Sequence, residues 1–248
     1  MGFVDVQLHR GIATVVLERG KVNALNPAVV EDLSATFDAL QSDTEASAVV
    51  LTGRGKFFSF GFDVPEFLSY TREEFTNYLA SFTTLYRHLF IYPKPLVVAL
   101  NGHAIAGGCM IALVGDSTIM VRGGAKISLN EIGFGSSIFA GSTEMLQFRT
   151  GSRASDVLYS AAMYSAAEAQ TIGLVAEVVA QEALLDRASE IARELASRRP
   201  AAFASIKSLL RKPVADAMAR REAASIHEFV EIWYSEPTWT NLRSITIR

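Results

Sequence analysis

Two glycine-bearing turns and one glutamate carry the clearest chemical potential in this chain. In "TGRGKFFSFGFDV", residues 52–64, Gly61 permits a tight turn and exposes backbone N–H groups beside it. In "NGHAIAGGCMIALVGD", residues 101–116, Gly107 and Gly108 stand where an apolar run opens into a helix. A helix start carries unpaired N–H groups and a partial positive charge, which suits an anion or a developing oxyanion. Both turns follow short apolar strands, and ligands of α/β sheets bind beyond the carboxyl ends of strands. Two backbone donors from two loops can therefore grip one oxygen. Taken singly, each glycine turn is explained as well by close packing.

Side chains able to move a proton near these turns are few. Glu131 follows in "SLNEIGFG". His103 precedes the second turn and reads as a structural ring, while Glu144 stands where a carboxylate favours a helix start. Cys109, the single cysteine, lies in an apolar run with no evident histidine partner and reads as packing. No metal-ligand spacing of His, Cys or carboxylates is present.

The elements that position these residues follow from periodicity. "VDVQLHRGIATVVLER" alternates around Arg10-Gly11 and predicts an antiparallel hairpin. Asn26 caps a helix with Pro27 at its first position and Val30, Leu33, Phe37 and Leu40 on one face. Buried strands are expected over Ala48–Thr52 and Leu96–Leu100. Between them, Thr71 and Glu74 form a capping box ahead of a stripe of Phe75, Tyr78, Leu79, Phe82, Leu85 and Tyr86. A second box at Ser165 and Glu168, with Gly173 as C-cap, precedes a final strand in "LVAEVV". From about Glu182 the chain reads as helical, broken at Pro200 and Pro213. Strands alternating with helices imply a largely parallel sheet with right-handed crossovers.

Composition narrows the classes. The chain has 248 residues, half of them hydrophobic, enough to bury a large core. With 23 basic against 26 acidic residues and no dense Lys/Arg block, nucleic acid is not an expected partner. No run of residues is long and apolar enough to span a bilayer. One cysteine and an N-terminus without a secretory pattern make the cytoplasm the expected compartment.

Read together and in order, "ERGKVNALN", "GRGKFFSFGFDV", "NGHAIAGGCMIALVGD", "SLNEIGFG" and "AAEAQTIGLVAEVV" make the chain resemble the crotonase superfamily, the enoyl-CoA hydratases and isomerases. The resemblance covers essentially the whole chain. It implies an α/β, ClpP-like spiral of repeated β-β-α units over residues 1–195, and a C-terminal helical region over 196–248 that assembles trimers or lids the acyl pocket. It implies an acyl-CoA substrate, no cofactor beyond that thioester, and a homotrimer or hexamer. The two oxyanion donors fall on the N–H groups of Phe60 and Gly107. By the resemblance Lys21 and Lys56 fall near the CoA phosphates, a simple solvated charge being the alternative for both, and Val22, Ala24 and the stretch Phe58, Ser59, Gly61, Phe62 and Asp63 fall along the CoA edge. The resemblance adds Gly108 and Asn130 to the substrate contacts and makes Glu131 the expected catalytic carboxylate. Hydratases of the family place a second glutamate on the helix after the second glycine turn, where this chain has Met110. The dienoyl isomerases need an aspartate where this chain has Phe139.

One carboxylate beside an enolate hole suffices for a 1,3-proton shift, so the resemblance is closest to the mitochondrial-type Δ3,Δ2-enoyl-CoA isomerases. Another reaction of the same fold, such as hydration, thioester hydrolysis or decarboxylation, and non-catalytic acyl-CoA binding are the alternatives.

Overall fold

The computed structural model describes residues 2–245. The last three residues of the C-terminal region lie outside it. Strands β1 (Val4–His9) and β2 (Ile12–Leu17) form the expected hairpin. Arg10 and Gly11 turn it with φ of 49° and 79°, the backbone of a two-residue turn whose twist matches the strands. Helix α1 (Pro27–Ser42) is capped by Asn26, whose side chain accepts from the Val29 N–H at 3.1 Å. Strand β3 (Ala48–Gly53) then leads into the short β4 (Phe57–Ser59). Helices α2 (Val64–Phe67) and α3 (Arg72–Phe90) follow, the latter opened by the Thr71/Glu74 capping box.

The same pattern repeats twice. Strands β5 (Leu96–Leu100) and β6 (His103–Ile105) precede α4 (Gly107–Ala112). Strands β7 (Ser117–Val121) and β8 (Lys126–Ser128) precede a single 3-10 turn, Glu131–Phe134, then α5 (Ala140–Thr150) and α6 (Ala154–Ser160). Strand β9 (Tyr164–Ser165), α7 (Ala166–Thr171) and β10 (Glu177–Val179) close the spiral. Gly173, at φ 83°, turns the chain out of α7, and the final strand is shorter than its apolar run. Helices α8 (Leu184–Ala196), α9 (Pro200–Trp233) and α10 (Glu236–Arg243) complete the fold.

From β3 to β8 each turn of the spiral thus gives one longer strand to a six-stranded sheet, β1-β2-β3-β5-β7-β10, and one short strand to a four-stranded sheet, β4-β6-β8-β9. From β2 onward the large sheet is parallel. Its central strand β5 is apolar throughout, and β3 and β7 are mostly so, because both faces are covered. Val49, Leu51, Val98 and Met120 join the main core with α1, α3 and α9, whereas the alternate residues Ala48, Val50, Val97, Ala99 and Ile119 meet Leu184, Ala188 and Ala192 of α8.

Pro213 does not break the last helical region, contrary to the sequence expectation; α9 runs straight through it. The ring removes one backbone bond to Leu209, but Leu209 is 76% exposed, so water can satisfy the freed carbonyl. Buried Arg211, Ala215 and Met218 hold the helix on both sides of the proline. Helix α9 packs on α3 and α5, and its Met218, Ile226, Phe229, Val230 and Trp233 belong to the main core. It also supplies the cap that α5 lacks at Phe139: Ser225 Oγ accepts from the Ala140 N–H at 3.0 Å and Glu222 from the Gly141 N–H at 3.0 Å.

Candidate active site

The site is built where the β4 turn meets the start of α4. A segment from the β2–α1 connection runs beside residues 60–63 as a short extended ladder. The Phe60 N–H donates to the Val22 carbonyl at 2.9 Å, Leu25 to the Gly61 carbonyl at 2.7 Å, and Asp63 to the Leu25 carbonyl at 3.0 Å. Asn23, at φ 49°, binds the connection to the turn by donating to the Arg54 and Phe57 carbonyls at 3.1 and 2.9 Å. Gly61 has φ 92°, and a Cβ there would lie 2.8 Å from the Ile105 carbonyl oxygen and 3.0 Å from the Gly107 nitrogen. Only glycine gives both the turn and this approach.

Ala106, the residue before α4, holds φ 49° and ψ −121° and makes no side-chain cap. Such a backbone is strained for an L-residue and persists when the surroundings over-determine it; here the Ala106 N–H is pinned to the Ser128 carbonyl at 2.8 Å. The result is an uncapped helix start. Among the described residues, the Gly107 N–H has no acceptor, and neither has that of Phe62. These two groups, not Phe60, are the available donors. The Phe60 amide assigned from the sequence is consumed by Val22. Phe62 was placed only on the CoA edge, and no feature of the sequence reveals which alternate residue of the ladder is left unpaired.

Both donors border a cavity of about 250 Å³ that is also lined by Met110, Asn130 and Glu131. Glu131 follows β8 and opens the 3-10 turn, which Gly135 ends in a left-handed conformation. Glu131 is 5% exposed, and its two carboxyl oxygens are buried without a hydrogen-bond partner. Burial pushes its pKa up to about 8, because the charged form is unsolvated. Asn130 Oδ1 is likewise buried without a partner. Met110, three residues into α4 from Gly107, is 1% exposed and offers only a thioether. The rest of the wall is apolar and aromatic: Phe60, Phe134, and Phe229 and Trp233 from α9. The last two lie one helical turn apart, a spacing that reads simply as core, so nothing in their pattern assigns them to the site.

Other candidates stand elsewhere. Glu144 is ion-paired with Arg221 of α9 and does not line the cavity. His103 Nδ1 accepts from the Lys126 N–H at 3.2 Å, and its pKa is lowered by burial and by Lys126. The Cys109 thiol is buried and its pKa is pushed far up by desolvation. Lys21 and Lys56 are exposed and do not line the cavity. Val22, Ala24 and Gly108 are buried, and Asp63 is engaged by Arg19 at 2.7 Å and as the cap of α2. Phe58 and Ser59, expected along the CoA edge, present no surface to a ligand. The ring is in the core, and the Ser59 hydroxyl donates to the Asn23 carbonyl at 2.8 Å and accepts from the Gly61 N–H at 3.1 Å, so both residues position the turn.

Two residues with unpaired N–H groups and a buried, unpaired carboxyl line one cavity, a set that can stabilise an enolate and move a proton beside it. A model of the family described as enoyl-CoA hydratase/isomerase matches residues 7–237. The chain belongs to the enoyl-CoA hydratase/isomerase family. It is 34% identical to the 2,3-dehydroadipyl-CoA hydratase of Escherichia coli over 192 residues, 77% of this chain and 74% of that protein. It is 32% identical to the short-chain-enoyl-CoA hydratase of Clostridium acetobutylicum over 204 residues, 81% of this chain and 78% of that one. The human mitochondrial Δ3-Δ2-enoyl-CoA isomerase structure superposes with a TM-score of 0.89 at 27% identity, covering 97% of this chain and 95% of that chain. Family membership makes this an acyl-CoA enzyme with enoyl-CoA hydratase/isomerase activity. Hydratase is the commoner name among its relatives. Among the described residues, no cluster of three or more His, Cys, Asp or Glu could hold a metal, and no helix is long and apolar enough to cross a membrane.

Proposed function

We propose that the protein is a Δ3,Δ2-enoyl-CoA isomerase. The observation that carries this reading is Met110, an apolar side chain in the cavity shared with Glu131, at the position where the family resemblance places the second acid of the hydratases. Adding water across a double bond needs one group to take a proton from water and another to deliver one to carbon. A thioether does neither. A 1,3-shift needs only one base. The thioester carbonyl of a 3-enoyl-CoA sits between the Phe62 and Gly107 N–H groups. Glu131 removes a C2 proton, and the C–H electrons pass into the carbonyl as a dienolate. As the carbonyl reforms, the double bond moves to C2–C3 and C4 takes the proton back from Glu131. The carboxylate is regenerated, and no cofactor is consumed. Preorganised donors of this kind are worth about 3 kcal/mol each in comparable acyl chemistry.

The test is ultraviolet absorbance with two substrates. Isomerisation of 3-hexenoyl-CoA creates a conjugated thioester and absorbance rises; hydration of crotonyl-CoA destroys one and absorbance falls. The expected result is a fast rise with the first and a negligible fall with the second. Comparable rates on both contradict the assignment. A homotrimer, or a pair of trimers, in the cytoplasm is the assembly proposed with it. A monomeric mass by light scattering at micromolar concentration contradicts that part alone.

A further inference from the structure

We infer that the acyl site accepts only short chains, of about four to six carbons, and that Phe229 and Trp233 set the limit. The inference rests on the acyl-thioester reading of the cavity but not on which reaction follows. At about 250 Å³ the cavity is smaller than most ligand pockets. Allowing about 30 Å³ for each heavy atom, the share of one water in the liquid, it holds about eight atoms. The thioester sulfur, carbon and oxygen take about three, which leaves about five carbons beyond C1.

The rings behind Phe229 and Trp233 are themselves packed, so this wall does not yield to a longer chain. The Phe229 ring stands 4.4 Å from Phe139 and 5.6 Å from Trp233, and Trp233 stands 4.7 Å from Phe75. On the other side Phe62 packs edge-to-face on Phe82 at 5.0 Å. All of these rings are buried, and Phe75, Phe82 and Phe139 are wholly so. Close-packed interiors do not open without rearranging their neighbours. The stop is carried by α9, which the core locks to α3 and α5, so it is part of the fold and not a mobile flap.

The probes are saturated butyryl-, hexanoyl-, octanoyl- and decanoyl-CoA, which undergo no double-bond chemistry, measured by calorimetry. For the wild type, affinity should rise about three- to fourfold per methylene up to six carbons. It should then fall, with decanoyl-CoA at least about tenfold weaker than hexanoyl-CoA. In Phe229→Ala the decanoyl-to-hexanoyl affinity ratio should increase at least about tenfold. Phe229→Leu, which keeps an apolar side chain on α9 and a folded protein, should shift the ratio the same way by less. A wild type that binds decanoyl-CoA as tightly as hexanoyl-CoA overturns the limit, and Phe229 variants with an unchanged ratio overturn the residue assignment. Failure of isomerase turnover leaves these binding ratios untouched, so the two readings fail separately. Absence of binding by every chain length rejects the acyl site itself.

Discussion

The Phe60 amide donates to the Val22 carbonyl at 2.9 Å, and this one bond decides which backbone groups face the cavity. With Phe60 committed, the next amide on that side of the ladder is Phe62, held against Gly107 by the close approach at Gly61. Gly61→Ala places a methyl within 3.0 Å of the Gly107 nitrogen in a backbone conformation that alanine resists. The turnover number on 3-hexenoyl-CoA should fall at least about 100-fold, the usual cost of one lost oxyanion donor. Steady-state kinetics on protein that still melts cooperatively checks this, and near-wild-type turnover would remove the close approach of Gly61 to Gly107 from the mechanism.

Met110 offers a gain-of-function test. Met110→Glu puts a second carboxyl beside Glu131, and hydration of crotonyl-CoA should rise at least about tenfold above the wild-type background, below the full range of acid–base catalysis because the new group's geometry is unrefined. The same substitution buries a second acid at a 1% exposed position, so the melting temperature should drop. A folded Met110→Glu protein with no added hydratase activity would mean that this side chain does not choose between the two reactions.

The pH dependence follows from Glu131. Its native pKa is raised from 4.5 to about 8, so between these values the folded protein retains a proton that the unfolded chain has released. Stability therefore falls as pH rises through that window and levels off above it. Glu131→Gln lacks this proton, and its stability relative to wild type should improve by a few kcal/mol from pH 4.5 to pH 8. Denaturant titrations at the two ends measure it. Parallel curves for the two proteins would place the carboxyl in water.

Much of this fold was legible because it rests on local chemistry. The Asn26 cap, the Thr71/Glu74 box and strand Leu96–Leu100 stand where side-chain periodicity puts them. What escaped depends on register and on distant segments. Phe60 and Phe62 are chemically alike, and only the pairing with Val22 and Leu25 separates them. Phe58 and Ser59 lie on a loop edge by sequence but inside the molecule by packing. Phe229 and Trp233 reach the cavity from a helix almost a hundred residues beyond Glu131, and Pro213 is tolerated because of which side of that helix faces water.

A buried charge cluster ties that helix to the end of α4. Asp116 accepts from Lys207 at 2.7 Å and is ion-paired with Arg211 at 3.3 Å, while Arg211 also donates to the Val114 and Gly115 carbonyls, each at 2.7 Å. Asp116→Ala strands two buried cations and should cost about 3–5 kcal/mol. Equilibrium unfolding in urea reads this directly, and a loss under about 1 kcal/mol would show that the cations are solvated.

The central claim is that Glu131 alone carries the proton. The decisive measurement is the rate of conjugation of 3-hexenoyl-CoA by Glu131→Gln beside wild type, with acyl-CoA affinity determined in parallel. The account predicts a loss of at least about 100-fold in turnover with affinity nearly unchanged, since the amide keeps the shape but cannot accept and return a proton. A variant that retains near-wild-type turnover contradicts it and moves the base to another residue.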